Sequence, residues 1–495
     1  MSFLGNTSPL EYIVDLMHNT VPGSLRGPFI DGLKSLAEQG ILLHGSLFSC
    51  SEISEWCFRA VVSSFMSTYD IMIEHKLTYV AEIHDQRMSH LMSQFPNVLS
   101  CYKDVSKMTD MKIRNIRSGS YEQVKPVQLL VGGFSCVSKS PCSNLRGQNK
   151  KCLSDAENSG QTAKTYAYMK NIIHKFSPEC VIAENLIDLI GDGEADSDAS
   201  VVIGDFAKMQ YQADKHIVSS VEYGSLTIKK RLFFVAFRGI GKRNSSKLTL
   251  VKQLLHGFRI DPDKNKLHMD HFLEKSTDFK QPGPGKHKKF KPNSDDFCYK
   301  VEHQRLYQER MVVWPPTDEM FLQVLGRPVF EVFPQRKLEL LYYCVTIFEM
   351  PDDVTFQFMD VHPGLPRITD DGAKDPWRPH LLHTLVGTSE MVMRRRMPDD
   401  TMSVKVISGL EAMAFAGWSP QFYRSDCERV PDTELAGMAG NCFNGFAFSA
   451  ILSAVLPMIF YKPDAEETAI DLDSDADGTI EQDDSESLDV RSDSD

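Results

Sequence analysis

The 495-residue sequence has no C-x-x-C pair, so a structural zinc site, or any bound metal, is not expected. Its 11 cysteines are scattered and odd in number, which points to free thiols in a reducing compartment rather than a disulfide framework. No apolar run approaches the roughly 20 residues that a membrane span requires. The stretch from Met1 to Val14 lacks a basic segment followed by an apolar one, so export is not expected. Internal repeats are absent. Net charge is also missing from most of the chain, although the formal total is −13. Residues 464–495 hold 14 Asp and Glu against one Arg, which leaves 53 charges of each sign in residues 1–463. The acidity therefore belongs to the tail, and a nucleic-acid partner for the neutral body is not excluded.

What is present is an ordinary globular composition, 42% hydrophobic and 24% charged, on a chain long enough for several domains. Ser8-Pro9, followed by Leu10, Ile13, Val14 and Met17, marks a helix start with one apolar face. From about residue 41 to 238, short apolar runs recur at Ile41–Leu43, Leu77–Ala81, Val127–Val131, Cys180–Ala183 and Leu232–Phe237. Stretches of helical period such as Lys164–Phe176 separate them, the pattern of βαβ units and a mainly parallel, doubly wound sheet. From 240 to 400 Pro, Gly and basic residues interrupt the pattern, with short helices expected near Phe321–Leu325 and Leu338–Phe348. Periodicity returns at Val404–Ala416 and Glu434–Phe460. The residues after Pro463 are mostly Asp, Glu and Ser and read as disordered.

In a doubly wound sheet, ligands bind beyond the carboxyl ends of the strands. The run Val127–Val131 leads into Gly132-Gly133-Phe134-Ser135-Cys136, and Cys180–Ala183 leads into Glu184-Asn185. A cysteine and a carboxylate on one rim form a candidate nucleophile and proton donor. A small buried thiol and a helix cap are the plainer alternatives for the same two residues.

These segments resemble motifs of the DNA cytosine-5 methyltransferase family. Gly132–Cys136 with Ser138 and Ser140 resembles its nucleophile loop, and Glu184-Asn185 resembles its acidic motif. Tyr223-Gly224 with Thr227, Lys229 and Arg231 is similar to its arginine motif. Leu410-Glu411, Gly417-Trp418 and Gly440-Asn441-Cys442-Phe443 resemble its closing segments, in the family's order. The resemblance implies a Rossmann-like α/β fold of the S-adenosylmethionine-dependent methyltransferases, with an irregular second domain for target recognition. It implies Cys136 as nucleophile at cytosine carbon 6, Glu184 as the acid at N3, and Arg231 with Lys229 to hold base and acid. S-Adenosyl-L-methionine would be the cofactor, contacted by Phe48, Glu82, Asp104 and Asn441. The target base would be flipped out of its stack. The family's D-x-F-x-G-x-G segment is Ser46-Leu47-Phe48-Ser49-Cys50-Ser51-Glu52 here, so only the Phe survives. Ser135 and Val137 replace the Pro and Gln beside the nucleophile, and Lys229 keeps a charge but not a planar fork.

The implied organisation is a helical lead-in (1–40), a catalytic domain (41–239), a target-recognition region (240–400), a segment returning to the catalytic domain (401–462) and a disordered acidic tail (463–495). Lys286, Lys288, Lys289 and Lys291 form a basic run suited to phosphate contact or nuclear import. The tail is a solubilising end, a competitor for the basic surface, or a contact for basic proteins. The expected activity is methyl transfer to carbon 5 of cytosine in DNA, in the nucleus. The alternatives are the same chemistry on tRNA, as in one lineage of the family, and a catalytically silent nucleic-acid-binding module.

Overall fold

The computed structural model describes residues 7–137, 152–153, 160–191, 197–261, 265, 267, 271–273, 308, 316–333, 335–361, 377–379, 381–382, 390–397, 399–418 and 430–463. The basic run at 286–291, Ser138, Ser140 and the acidic tail lie outside these residues.

Two helices, α1 (Pro9–Asn19) and α2 (Gly23–Glu38), precede the first strand. Helix α1 starts on a capping box in which Ser8 and Glu11 exchange hydrogen bonds, as the Ser-Pro start predicts. The strands are β1 (Leu42–Leu47), β2 (His75–Ala81), β3 (Ser100–Tyr102), the small hairpin β4 (Ile113–Arg114) and β5 (Tyr121–Glu122), then β6 (Leu129–Gly133), β7 (Cys180–Asn185), β8 (Tyr211–Ser219) and β9 (Lys230–Arg238). Seven of them form one sheet in the order β3-β2-β1-β6-β7-β9-β8. Pairs among the first five are parallel, and β9 is inserted antiparallel to both β7 and β8. The helices α3 (Ile53–Tyr69), α4 (Asp85–Gln94), α5 (Gly160–Phe176) and α6 (Asp198–Lys208) connect the strands. Apolar clusters lie on both faces, so β6, β7 and β9 read as continuous buried runs.

Within the seven-stranded sheet, the two strands that periodicity does not reveal are β3 and β8. The first is only three residues long. The second is an edge strand, YQADKHIVS, whose polar residues are half-buried and whose sequence carries no apolar run.

Helix α7 (Lys242–Gly257) packs Leu248, Val251, Leu254 and Leu255 into the same core as α1 and α3. The expected boundary at 239–240 therefore cuts through one packed unit; sequence after a strand-ending Gly-x-Gly looks like a linker although the helix beyond it has a buried face. Helices α8 (Asp318–Leu325), α9 (Arg327–Val332) and α10 (Gln335–Ile347) build a second core. They do so with an antiparallel sheet of β10 (Phe356–Asp360), β11 (Arg378–Pro379), β12 (Met391–Arg396) and β13 (Met402–Val406), in the order β11-β10-β12-β13. Because β12 pairs with β13, the expected boundary at 400–401 falls inside this sheet.

The chain then returns through α11 (Gly409–Phe415), α12 (Asp432–Asn441) and α13 (Gly445–Val455). Every residue of α13 is buried, against α3, α1 and α7. Among the described residues no single helix is long and apolar enough to cross a membrane.

Candidate active site

Strands β6 and β7 end together, with Gly133 paired to Glu184. Beyond β6 the chain is fastened at three points. Phe134 is buried against Tyr166, with ring centroids 5.1 Å apart. The Ser135 amide donates to Thr165 Oγ1 at 3.0 Å, and Asn185 Nδ2 donates to the Phe134 carbonyl at 2.8 Å. These contacts set Cys136, half-buried, at the rim above Glu184. Gly133 is needed for a steric reason: a Cβ there would sit 3.0 Å from Phe443 Cε1 and 3.2 Å from Glu184 Oε2. The missing side chain leaves the carboxylate its place.

Arg231 Nε lies 2.9 Å from Glu184 Oε1, with 15% and 13% of the two side chains exposed. Burial pushes the Glu184 carboxyl above the ordinary carboxylate range, and the neighbouring charges of Arg231 and Lys229 only partly oppose it. Burial likewise raises the Cys136 thiol; the Glu184 charge adds to the rise and Arg231 offsets part of it. Both groups are held toward their neutral forms.

Lys229 is placed differently from the expectation. It is 4% exposed, and its Nζ donates to the carbonyls of Gly440 at 3.0 Å and Cys442 at 2.6 Å. Its ammonium, pushed down to about 8 by burial, fastens the returning segment to the foot of β9 and acts on Glu184 only as a neighbouring charge. Asn441, between those carbonyls, is exposed. The buried asparagine is Asn444, which donates to Ser225 Oγ at 3.1 Å and Thr227 Oγ1 at 2.9 Å and caps α13 by accepting from the Ala447 amide. An Asn-Gly pair just ahead of an apolar helix was the available signal for that cap.

The loop after β1 closes the other half of the rim. Phe48, Cys50 and Glu52, at alternate positions, all adopt left-handed backbone with φ of 56°, 48° and 54°. Cys50 and Glu52 stand where the glycine-rich pattern has glycines, so the chain keeps the tight crossing with residues that resist it. Glu82, 5% exposed at the end of β2, stabilises this loop: its carboxylate accepts from the Cys50 and His84 amides, each at 2.9 Å. Asp104 accepts from the Ser106 amide and hydroxyl and caps a short 3₁₀ turn. Trp418 Nε1 reaches Ser51 Oγ at 3.3 Å, and Cys50 Sγ lies 3.7 Å from the Met438 carbonyl, so the returning segment lids the loop.

Glu52 is a residue the sequence reading passed over. It is 1% exposed. Oε1 accepts from the Ser54 hydroxyl, while the nearby Ser46 and Ser49 hydroxyls bond to one another at 3.0 Å and Oε2 has no partner of its own. Burial lifts its carboxyl to about 7. An orphaned carboxyl oxygen in a loop at a strand end suits a ligand that carries an ammonium group. Phe48, half-buried, Glu82 and Asp104 lie at the ends of β1, β2 and β3, the edge where a nucleoside would lie across the sheet. The residues present therefore fit S-adenosylmethionine, a nucleoside joined to an amino acid. No group of metal-ligating side chains occurs among the described residues.

A mainly parallel, doubly wound sheet whose last strand is inserted antiparallel beside β7 defines a methyltransferase fold of the Rossmann-like type. Residues 92–311 match the model of the C-5 cytosine-specific DNA methylases. Among solved structures it is similar to Dnmt2 methyltransferase of S. pombe, at 10% identity and a TM-score of 0.44, over 84% of this chain and 98% of that one. It is also similar to a putative DNA modification methyltransferase encoded within an E. coli prophage, at 15% identity and a TM-score of 0.42, over 84% and 98%. The Entamoeba histolytica methyltransferase EhMeth aligns at 11% identity and a TM-score of 0.39, over 84% and 97%. No curated protein matches the sequence.

Proposed function

We propose that this protein methylates carbon 5 of cytosine in DNA, with Cys136 as the nucleophile. The observation that carries the reading is the meeting of Cys136 with the Glu184–Arg231 pair on the ends of two adjacent strands, inside the segment that matches the family model.

The residue types account for the chemistry. Cytosine carbon 5 is too weak a nucleophile to accept a methyl group unaided. The Cys136 sulfur, having lost its proton, adds to carbon 6, and the electron pair moves into the ring toward N3. Glu184, kept protonated by burial, gives its proton to N3 and so makes carbon 5 electron-rich. Arg231 holds the Glu184 carboxyl in place through Nε. S-Adenosylmethionine, when bound, supplies an electrophilic methyl group to that carbon; Phe48, Glu82, Asp104 and Glu52 are the residues that would hold it. Loss of the carbon 5 proton to water then re-forms the ring double bond and expels the sulfur as a thiolate, and the N3 proton returns to Glu184. Lys229 and Asn444 hold the returning segment and touch none of the reacting atoms. A DNA substrate in a eukaryotic cell would put the protein in the nucleus, which imaging of the tagged full chain checks.

Covalent trapping tests the reading. Full-length protein is incubated with S-adenosylmethionine and either DNA or tRNA containing 5-fluorocytosine, whose fluorine cannot leave as a cation. The expected result is a denaturation-resistant adduct on DNA that disappears in Cys136→Ala. An adduct on tRNA alone would move the substrate to RNA, and no adduct from folded protein that binds the cofactor would favour a silent binding module.

A further inference from the structure

Ser135 stands where the cytosine-5 methyltransferase pattern has proline, and the difference changes how the backbone before Cys136 is held. A proline ring fixes φ and removes the backbone donor; a serine leaves φ free and adds an N–H. Both consequences fall on one peptide unit. The link between Phe134 and Ser135 is planar, so its C=O and N–H point in opposite directions from one rigid plate. Asn185 Nδ2, at the end of β7, donates to the carbonyl at 2.8 Å, and the amide donates to Thr165 Oγ1 on α5 at 3.0 Å. The plate is therefore gripped by the strand on one side and by the helix on the other, immediately before the cysteine.

Thr165 can serve there only as an acceptor. Its one hydroxyl proton turns back into α5, where the carbonyls of Gln161 and Thr162 each lie at 3.0 Å. The oxygen lone pairs are left for Ser135. A threonine that bonds back into its own helix is common, but that habit does not require a second bond from an amide 30 residues earlier in the chain. The neighbouring residue fixes the height of α5 against the loop, because the Tyr166 ring packs on Phe134. Beyond the cysteine, the Val137 amide makes a longer contact of 3.4 Å to Ser135 Oγ, so Ser135 constrains Cys136 from both flanks.

We propose that Thr165 is a positioning residue for the Cys136 thiol, its hydroxyl supplying the constraint that a proline at 135 would supply through its ring. The inference rests on the reading of Cys136 as the nucleophile. Without this bond the Phe134–Ser135 plate is held by Asn185 alone and can turn about that contact. The sulfur then leaves the place above Glu184 from which it meets carbon 6.

Two rates measured on the full chain test this. One is formation of the 5-fluorocytosine adduct at saturating DNA and S-adenosylmethionine. The other is alkylation of Cys136 by iodoacetamide, followed by peptide mass spectrometry; among the described residues it is the one free cysteine that is not buried. Thr165→Val removes the acceptor and keeps the shape. It should slow the adduct about tenfold with duplex affinity unchanged, and speed alkylation about threefold as the thiol loosens. Thr165→Ser, which keeps the hydroxyl, should restore both rates. Ser135→Pro deletes the donor, so Thr165→Val should have no further effect on that background. Native rates in Thr165→Val would overturn the inference, and so would an effect that persists undiminished beside Ser135→Pro. If Ser135→Pro does not fold, the comparison of Thr165→Val with Thr165→Ser decides alone. No adduct from the native chain, with alkylation following the expected pattern, would remove the nucleophile reading and leave the positioning of the thiol standing.

Discussion

Glu52 shows how much one side chain decides at this site. Its carboxyl is folded into a left-handed position that glycine would take without cost, and is buried with one oxygen unpaired. Its pKa is raised from 4.5 to about 7, so the folded state holds a proton that the unfolded chain releases. Below pH 4.5 both states are protonated and the burial is harmless. Between pH 4.5 and 7 the ionised unfolded state gains, and above pH 7 the full penalty applies. Glu52→Gln should therefore raise the unfolding temperature at pH 8 and leave it unchanged near pH 4. The same variant should bind S-adenosylhomocysteine at least about tenfold more weakly, since a hydrogen bond to a charged group is worth about 1.5–3 kcal/mol. Calorimetry showing unchanged affinity would remove Glu52 from the ligand site. Stability and binding then pull in opposite directions at one residue, as functional positions often do.

At the level of elements, the rim is made where strand ends meet a returning segment, and the sequence shows these two parts unequally. Cys136 and Glu184 are legible because a strand followed by Gly-Gly or Glu-Asn announces both the end of the strand and what stands on it. Lys229 and Asn441 are not legible in the same way. Whether a lysine at the foot of β9 reaches a carboxylate or a pair of carbonyls depends on where residues 440–442 come to lie, more than 200 residues later. Asn444, announced only by an Asn-Gly pair ahead of an apolar helix, caps α13 and ties it to Ser225 and Thr227 in the loop before β9. Asn444→Ala should cost about 1–3 kcal/mol, combining a lost helix cap with the loss of two hydrogen bonds to the buried Ser225 and Thr227 hydroxyls, which keep their bond to one another. Urea unfolding measures this, and a change under 0.5 kcal/mol, within the scatter of about ±0.5 expected at neutral surface sites, would show the cap to be dispensable. The second sheet, β10–β13, escaped notice because its strands are short and separated by stretches rich in Pro and charge.

For the whole molecule, the N-terminal helices form part of the main core: Ile13, Val14, Met17 and Phe29 are fully buried. His18 links three parts of the chain, bonding Ser64 on α3 and Ser453 on α13 at 2.8 Å each. Burial depresses it to about 3, depresses His90 to about 4, and lowers His44 and His216 as well. These groups are neutral when folded and take up protons once unfolded, so their contribution is complete above the unfolded value of 6.5 and is lost as pH falls below it. At pH 5, His18 and His90 should each cost roughly 2 kcal/mol of stability. The loss from four histidines outweighs the gain from Glu52, so unfolding temperature should fall steeply from pH 6.5 to 5. A flat profile across that range would contradict the buried neutral state. The burial of α13 also bears on the order of synthesis. It fills the gap between α1, α3 and α7, and it is made some 190 residues after the last of them. A ribosome must therefore release residues 445–455 before the first sheet can close one of its faces. Until then that face stays open to solvent, and a chain cut before residue 445 cannot complete this core.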